Sequence, residues 1–186
     1  MLDNKLKLNT DGTNVYATLY VKARRPGLII LTVINLLLIS LVIFFASTVQ
    51  LDQNPSVIFP LIIFGLLIIV FPLRYLLWNS YGKEQLIITK KSLSFSYDYG
   101  LFQTNLKTFE HNRLGLAFEE VRKSDCQSIG RLMFIRYDEK TDLPETIYQT
   151  TILLSMEHLE EIEVAIGDLY QQQLNEEFSF YPTSLN

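Results

Sequence analysis

Two stretches decide the fold: Gly27–Val49, GLIILTVINLLLISLVIFFASTV, and Ser56–Trp78, SVIFPLIIFGLLIIVFPLRYLLW. The first has no ionisable residue, and the only charge in the second is Arg74, near its end. Each is long enough to form a helix of roughly 34 Å, against a hydrocarbon core of about 30 Å. Both therefore read as membrane spans. Pro60 falls in the first turn of the second span, where a missing N–H does little harm. Pro72 lies deeper and is expected to kink or end the straight section. A cleaved signal peptide fits the first stretch poorly: the apolar run is long, it starts far from residue 1, and no A-x-A site follows.

Only Gln50–Pro55 separates the spans, so they form an antiparallel helical hairpin. That link has no Lys or Arg. The leading segment has Lys5, Lys7, Lys22, Arg24 and Arg25, and the trailing flank has Arg74, Lys83, Lys90 and Lys91. The basic-residue rule then puts both chain ends in the cytoplasm and Gln50–Pro55 on the far side of a cytoplasmic (inner) membrane. Arg74 can snorkel to the interface, where Tyr75, Trp78 and Tyr81 supply an aromatic belt. Thr32, Asn35 and Ser40 are the polar residues inside the first span. Asn35, the costliest in lipid, is expected to face a helix and hydrogen-bond across the pair.

Beyond the spans the apolar period switches to two. Leu86–Ile88 opens a strand, and Leu93, Phe95, Tyr97 and Tyr99 alternate with polar residues along a second. Leu101–Phe109 is a third, Leu114–Glu119 a fourth, Leu132–Tyr137 a fifth and Thr146–Leu153 a sixth. Arg122–Gly130 and Asp138–Glu145 read as polar loops. Such spacing favours an antiparallel meander or barrel. Ser155 is a good N-cap, with Leu154 and Leu159 at the hydrophobic-staple positions. Leu159, Ile162, Ile166 and Leu169 form one apolar stripe, predicting an amphipathic helix from Met156 to about Leu174. In the leading segment, Lys5–Leu8 alternates, Asp11-Gly12 signals a turn and Val15–Val21 is rich in strand formers. A hairpin extending the sheet is one outcome, and an interfacial helix over Asn14–Ala23 is the other.

The fold class expected is thus a membrane α+β protein. A cytoplasmic segment 1–26 leads into a helical hairpin 27–78, a β domain 79–176 closed by a helix, and a tail 177–186. The layout resembles small bacterial membrane proteins with a helical hairpin and a pleckstrin-homology-like (PH-like) domain. The residues that carry this are Trp78-Asn79-Ser80-Tyr81-Gly82-Lys83-Glu84, then Leu86-Ile87-Ile88, Leu93-Ser94-Phe95 and Tyr99-Gly100. It is also similar in length and order to the photosystem I assembly proteins of cyanobacteria and plastids. The resemblance implies a scaffold; fold of this kind does not by itself name a function.

Charge narrows the partners. Residues 79–186 hold 10 basic and 17 acidic side chains. That balance disfavours nucleic acid and anionic lipid headgroups, and leaves Lys83, Lys90 and Lys91 as interfacial anchors and turn residues. No enzyme and no cofactor is expected. Glu119 and Glu120, as strand neighbours, point to opposite faces. His111 falls in an expected turn, exposed to solvent, and His158 in the first turn of the last helix. Cys126, the single cysteine, sits in a polar loop without a nearby His. The acidic helix face of Glu157, Glu160, Glu161 and Glu163 is a candidate partner surface. The expected function is a membrane-anchored adaptor or assembly factor that binds a protein partner or forms a homo-oligomer. Two alternatives stand beside it: a ligand-sensing effector whose β domain drives the helices to oligomerise, and an accessory subunit of a larger membrane complex.

Overall fold

Residues 5–48, 56, 58–124, 127–138, 141 and 143–179 are described by a computed structural model. The expected tip Gln50–Pro55, the 177–186 tail beyond Ser179, and Asp125 and Cys126 lie outside them. The chain divides into two compact units. One comprises Met1–Tyr20, Lys83–Tyr97 and Gln103–Asn186, and the other Val21–Gly82 and Asp98–Phe102.

The first unit is a mixed α+β assembly of two antiparallel sheets and a helix. Strands β1 (Leu6–Thr10) and β2 (Asn14–Tyr20) form a hairpin in register Leu6↔Leu19 to Thr10↔Val15. The turn is held by Asp11, whose Oδ1 accepts the N–H groups of Thr13 and Asn14 at 2.9 and 2.7 Å. The Asn14 side-chain amide, which donates to Oδ2 at 3.0 Å, acts first, and with the Thr13 and Asn14 N–H groups it holds the Asp11 carboxyl well below its usual range. Next to β2 lies β3 (Lys83–Thr89), antiparallel, with Val15↔Ile88, Leu19↔Glu84 and Tyr20↔Lys83 as partners. Strands β4 (Ser92–Asp98) and β5 (Lys107–Glu110) complete a five-stranded sheet in the order β1-β2-β3-β4-β5.

The second sheet is built on a long ribbon, β6 (Leu114–Ser124) and β7 (Gln127–Tyr137). Strands β8 (Pro144–Gln149) and β9 (Leu154–Ser155) both pair with β7. Side-chain parity sets the core. Val15, Ala17 and Leu19 of β2, Leu86 and Ile88 of β3, Leu93 and Phe95 of β4, and Leu132 and Phe134 of β7 are all buried. Helix α3 (Met156–Ser179) packs against β1, β2, β7 and β9. It buries Leu159, Ile162, Ile166 and Leu169, the stripe that its periodicity predicts. Ser155 and His158 close its start, their Oγ and Nδ1 2.9 Å apart.

Three expectations change. Of the expected third strand only Lys107–Phe109 lies in β5; before it, Gln103 makes a lone bridge and Thr104 N–H donates to the Tyr97 carbonyl at 2.8 Å. Gly100 turns the chain at φ 87°, Phe102 stacks on Tyr99, and Leu106 is exposed, so the apolar points share no buried face. The expected loop Arg122–Gly130 is instead the end of the β6–β7 ribbon, with Arg122↔Ile129, Lys123↔Ser128 and Ser124↔Gln127 paired. A two-stranded ribbon needs ladder hydrogen bonds, not apolar alternation, to continue. Helix α3 also runs on to Ser179, past Leu174.

The second unit contains α1 (Arg25–Thr48) and α2 (Ile58–Tyr81), two helices apolar and long enough to cross a membrane. They pack on each other. Gly65 makes the approach close: a Cβ there would lie 3.3 Å from Val42 Cγ1. In chain order the pair is inserted between β2 and β3, neighbouring strands of one sheet.

Candidate functional site

Near the end of α2, Arg74, Trp78 and Tyr81 recur at i, i+4 and i+7, which places them on one helix face. The β4–β5 link, Asp98–Phe102, packs on that face. Its turn is fixed by Gly100 N–H donating to Asp98 Oδ1 at 2.7 Å and Tyr99 N–H donating to the Phe102 carbonyl at 2.9 Å. Only glycine fits at the corner. Its φ of 87° is left-handed, and a Cβ at Gly100 would lie 2.7 Å from Tyr81 Cβ. The turn delivers Tyr99 into a stack between Phe102, at 4.7 Å and 14°, and Trp78, at 5.1 Å. The Arg74 guanidinium lies 4.9 Å from the Tyr99 ring centroid, and its Nη2 donates to the Tyr99 hydroxyl at 2.8 Å. Arg74 therefore extends from the apolar helix onto an aromatic partner as well as towards water. The end of α2 is just as tight. Gly82 N–H donates to the Trp78 carbonyl at 2.8 Å, and a Cβ at Gly82 would come within 2.2 Å of that oxygen. Tyr75 stays outside this clamp, 60% exposed.

Elsewhere on the helix pair, Asn35 is the buried residue of α1. Its Nδ2 donates to the Leu31 carbonyl of its own helix at 2.8 Å. Thr32 is exposed and satisfies itself on the Leu28 carbonyl; Ser40 is exposed as well. A groove of about 390 Å³ opens between the start of α1 and the end of α2, with Arg24 and Asn79 beside Leu28, Leu31 and Tyr75.

In the β unit the notable group is Glu84. It occupies the core-facing parity of β3, two residues before Leu86 and four before Ile88, and is fully buried. Its Oε1 accepts the Thr151 N–H at 2.8 Å. That N–H is available because the chain leaves the ladder between β8 and β9. Just before it, Thr150 turns inward, its Oγ1 accepting the Leu132 N–H at 3.0 Å and its own N–H meeting the Leu132 carbonyl at 2.9 Å. Glu84 Oε2 and the buried Tyr148 hydroxyl make no hydrogen bond of normal geometry. Burial pushes the Glu84 carboxyl up to about 7, with the Thr151 N–H working against that rise. Tyr148 is pushed up too, by burial and by the neighbouring Glu84. Its ring is fixed under Phe95, centroids 4.1 Å apart. A carboxyl with no exposed surface meets no substrate, so its charge state bears on the fold. Strand parity was the signal for Glu84, but only once β3 is started at Lys83 and not at Leu86.

The remaining sequence candidates are scattered. Glu119 and Glu120 take separate partners, Gln149 Nε2 and Ser128 Oγ. His111 is not solvated as expected. It lies 3% exposed where the chain passes from β5 to β6, and burial lowers its pKa. Its own N–H donates to the Lys91 carbonyl at 2.8 Å, which draws the turn inward. Glu157, Glu160, Glu161 and Glu163 are all exposed along α3. No protein-family model matches the chain, and no curated protein is detectably similar to it.

Proposed function

We propose that the chain is a non-enzymatic, membrane-anchored adaptor or assembly factor, with α1 and α2 as a transmembrane hairpin and the β unit as a PH-like cytoplasmic domain that binds a protein partner. The observation that carries this is the surface of the helix pair. Ile29, Leu37, Ile43, Phe44 and Phe71 are each at least 63% exposed, and Phe59 is 72% exposed. Keeping such side chains in water costs about 1.5–3 kcal/mol each, which together rivals the whole net stability of a domain. Lipid removes that cost.

The strand register supports one-sided anchoring. Tyr20 pairs with Lys83, and Val21 N–H donates to the Gly82 carbonyl at 2.9 Å. The chain thus leaves and returns at one point, so a spanning pair must have both outer ends on the same side. The charge count then selects the cytoplasm. The excess of acidic residues after the spans, with four exposed glutamates on α3, favours a basic protein surface as partner over an anionic leaflet. Extraction from native membranes in mild detergent tests this. Resistance to alkaline carbonate and a stoichiometric co-purifying protein are expected; a carbonate-soluble chain, or one that elutes monomeric and alone, refutes it.

A further inference from the structure

At the apex of the Asp98–Phe102 turn stands Leu101, 78% exposed. This apolar side chain sits on a link that is rigid, not slack. Gly100 sets the corner against Tyr81, Tyr99 is locked between Trp78, Phe102 and Arg74, and the Tyr99 N–H closes the turn onto Phe102. The turn therefore holds Leu101 out on purpose-built geometry. It does so on the same compact unit as α2, next to a helix surface where Phe71, Tyr75 and Tyr81 are 64%, 60% and 62% exposed. Tyrosine and tryptophan at such a helix end mark headgroup depth.

From this we infer that Leu101 and Phe102 form a wedge that inserts into the interfacial layer of the bilayer beside α2, a third membrane contact made by the β4–β5 link. The occupant is lipid because the exposed leucine adjoins Tyr99 and Gly100, which lie against Trp78 and Tyr81, the aromatic end of an apolar helix. An apolar side chain at this depth gains burial at reduced cost, since the Tyr99 and Gly100 N–H groups are already bonded inside the turn and the hydrated interface can serve the other backbone groups. The wedge rests on the proposal that α1 and α2 span the bilayer.

Single cysteines in a Cys126→Ser full-length chain carry the test, labelled with an environment-sensitive fluorophore and reconstituted in vesicles containing spin-labelled phospholipid. Leu101→Cys reports the wedge. Leu66→Cys, 57% exposed in the middle of α2, reports the span, and Leu143→Cys, 64% exposed before β8, is an equally exposed leucine of the β unit. The expected result at position 101 is blue-shifted emission, quenched more by a headgroup-proximal spin label than by a mid-chain one. Position 66 should be quenched more by the mid-chain label, and position 143 by neither. Water-like, unquenched emission at 101 with quenching at 66 overturns the wedge and leaves the span intact. Blue-shifted but unquenched emission at 101 also overturns it, assigning the apex to a protein neighbour. Quenching at 143 equal to that at 101 overturns it as non-specific. Loss of quenching at 66 overturns the span and the wedge together.

Discussion

Replacing Glu84 by glutamine should stabilise the protein at alkaline pH and leave it unchanged in acid. The folded carboxyl titrates near 7, against a reference of 4.5. Such a raised value means that between these limits the native state holds a proton that the unfolded chain has released. Stability is therefore full below about pH 4.5, falls as pH rises, and levels off above 7. The whole fall corresponds to roughly 3 kcal/mol. Glutamine keeps an acceptor for the Thr151 N–H and is neutral throughout. The Glu84→Gln advantage should thus be near zero at pH 4 and roughly 3 kcal/mol at pH 8. Urea unfolding of the full chain in detergent, followed by near-ultraviolet circular dichroism, reads it directly. His111 contributes an opposite slope. Its lowered pKa makes stability rise with pH up to about 6.5, as the unfolded imidazole loses its proton. That slope is common to both proteins and cancels in their difference. An advantage that is flat with pH, or a variant equally weakened at pH 4 and pH 8, would refute the argument.

Three further outcomes are expected. Tyr99→Phe removes the acceptor of the Arg74 bond and should cost the turn about 1.5 kcal/mol, seen as faster amide exchange across 98–102 with exchange in β7 unchanged. Gly100→Ala combines a left-handed φ with a 2.7 Å approach to Tyr81, and should loosen the same segment by about 2 kcal/mol. Ser155→Ala removes the hydroxyl at the N-cap position of α3 and its contact with His158, lowering urea stability by about 1 kcal/mol; an unchanged midpoint would show that this hydroxyl contributes nothing.

What could be read from residues alone was set by periodicity. The two long apolar stretches are α1 and α2, and the stripe Leu159, Ile162, Ile166, Leu169 is the buried face of α3, because a 3.6-residue apolar repeat encodes a helix buried on one side. The two strands of the β6–β7 ribbon are legible, but not its Arg122–Gly130 end, because Arg122, Lys123 and Ser128 show no apolar alternation and backbone ladders carry no side-chain signature. The Tyr99 clamp is illegible for a different reason. Arg74, Trp78 and Tyr81 were legible as interfacial anchors, but their partners come from a link 25 residues downstream of Arg74. No local pattern marks such a contact, except the glycine at position 100. Glu84 carries no mark of a core residue in the sequence, since a charged side chain next to a helix end is ordinarily solvated. The two-residue period through Leu86 and Ile88 outranks that expectation once the strand begins earlier.

The place of Glu84 gives its titration a local meaning. It faces Leu19 in the β2–β3 ladder, one pair from Tyr20↔Lys83, where the chain leaves the sheet for the helix pair and returns. End pairs of a ladder open first, since they have support on one side only. An ionised carboxyl at this position gains far more hydration by fraying than a protonated one does. Because its pKa is about 7, the free energy of opening that end changes most around neutral pH. The Thr151 bond links the same carboxyl to the start of the β8–β9 passage, so one proton acts on two seams of the β unit. A residue selected only to fill a core position would be cheaper as leucine, the type found opposite it. Hydrogen exchange at the Leu19 and Tyr20 amides should therefore quicken as pH rises through about 7 beyond the intrinsic base-catalysed rate, and Glu84→Gln should remove that excess.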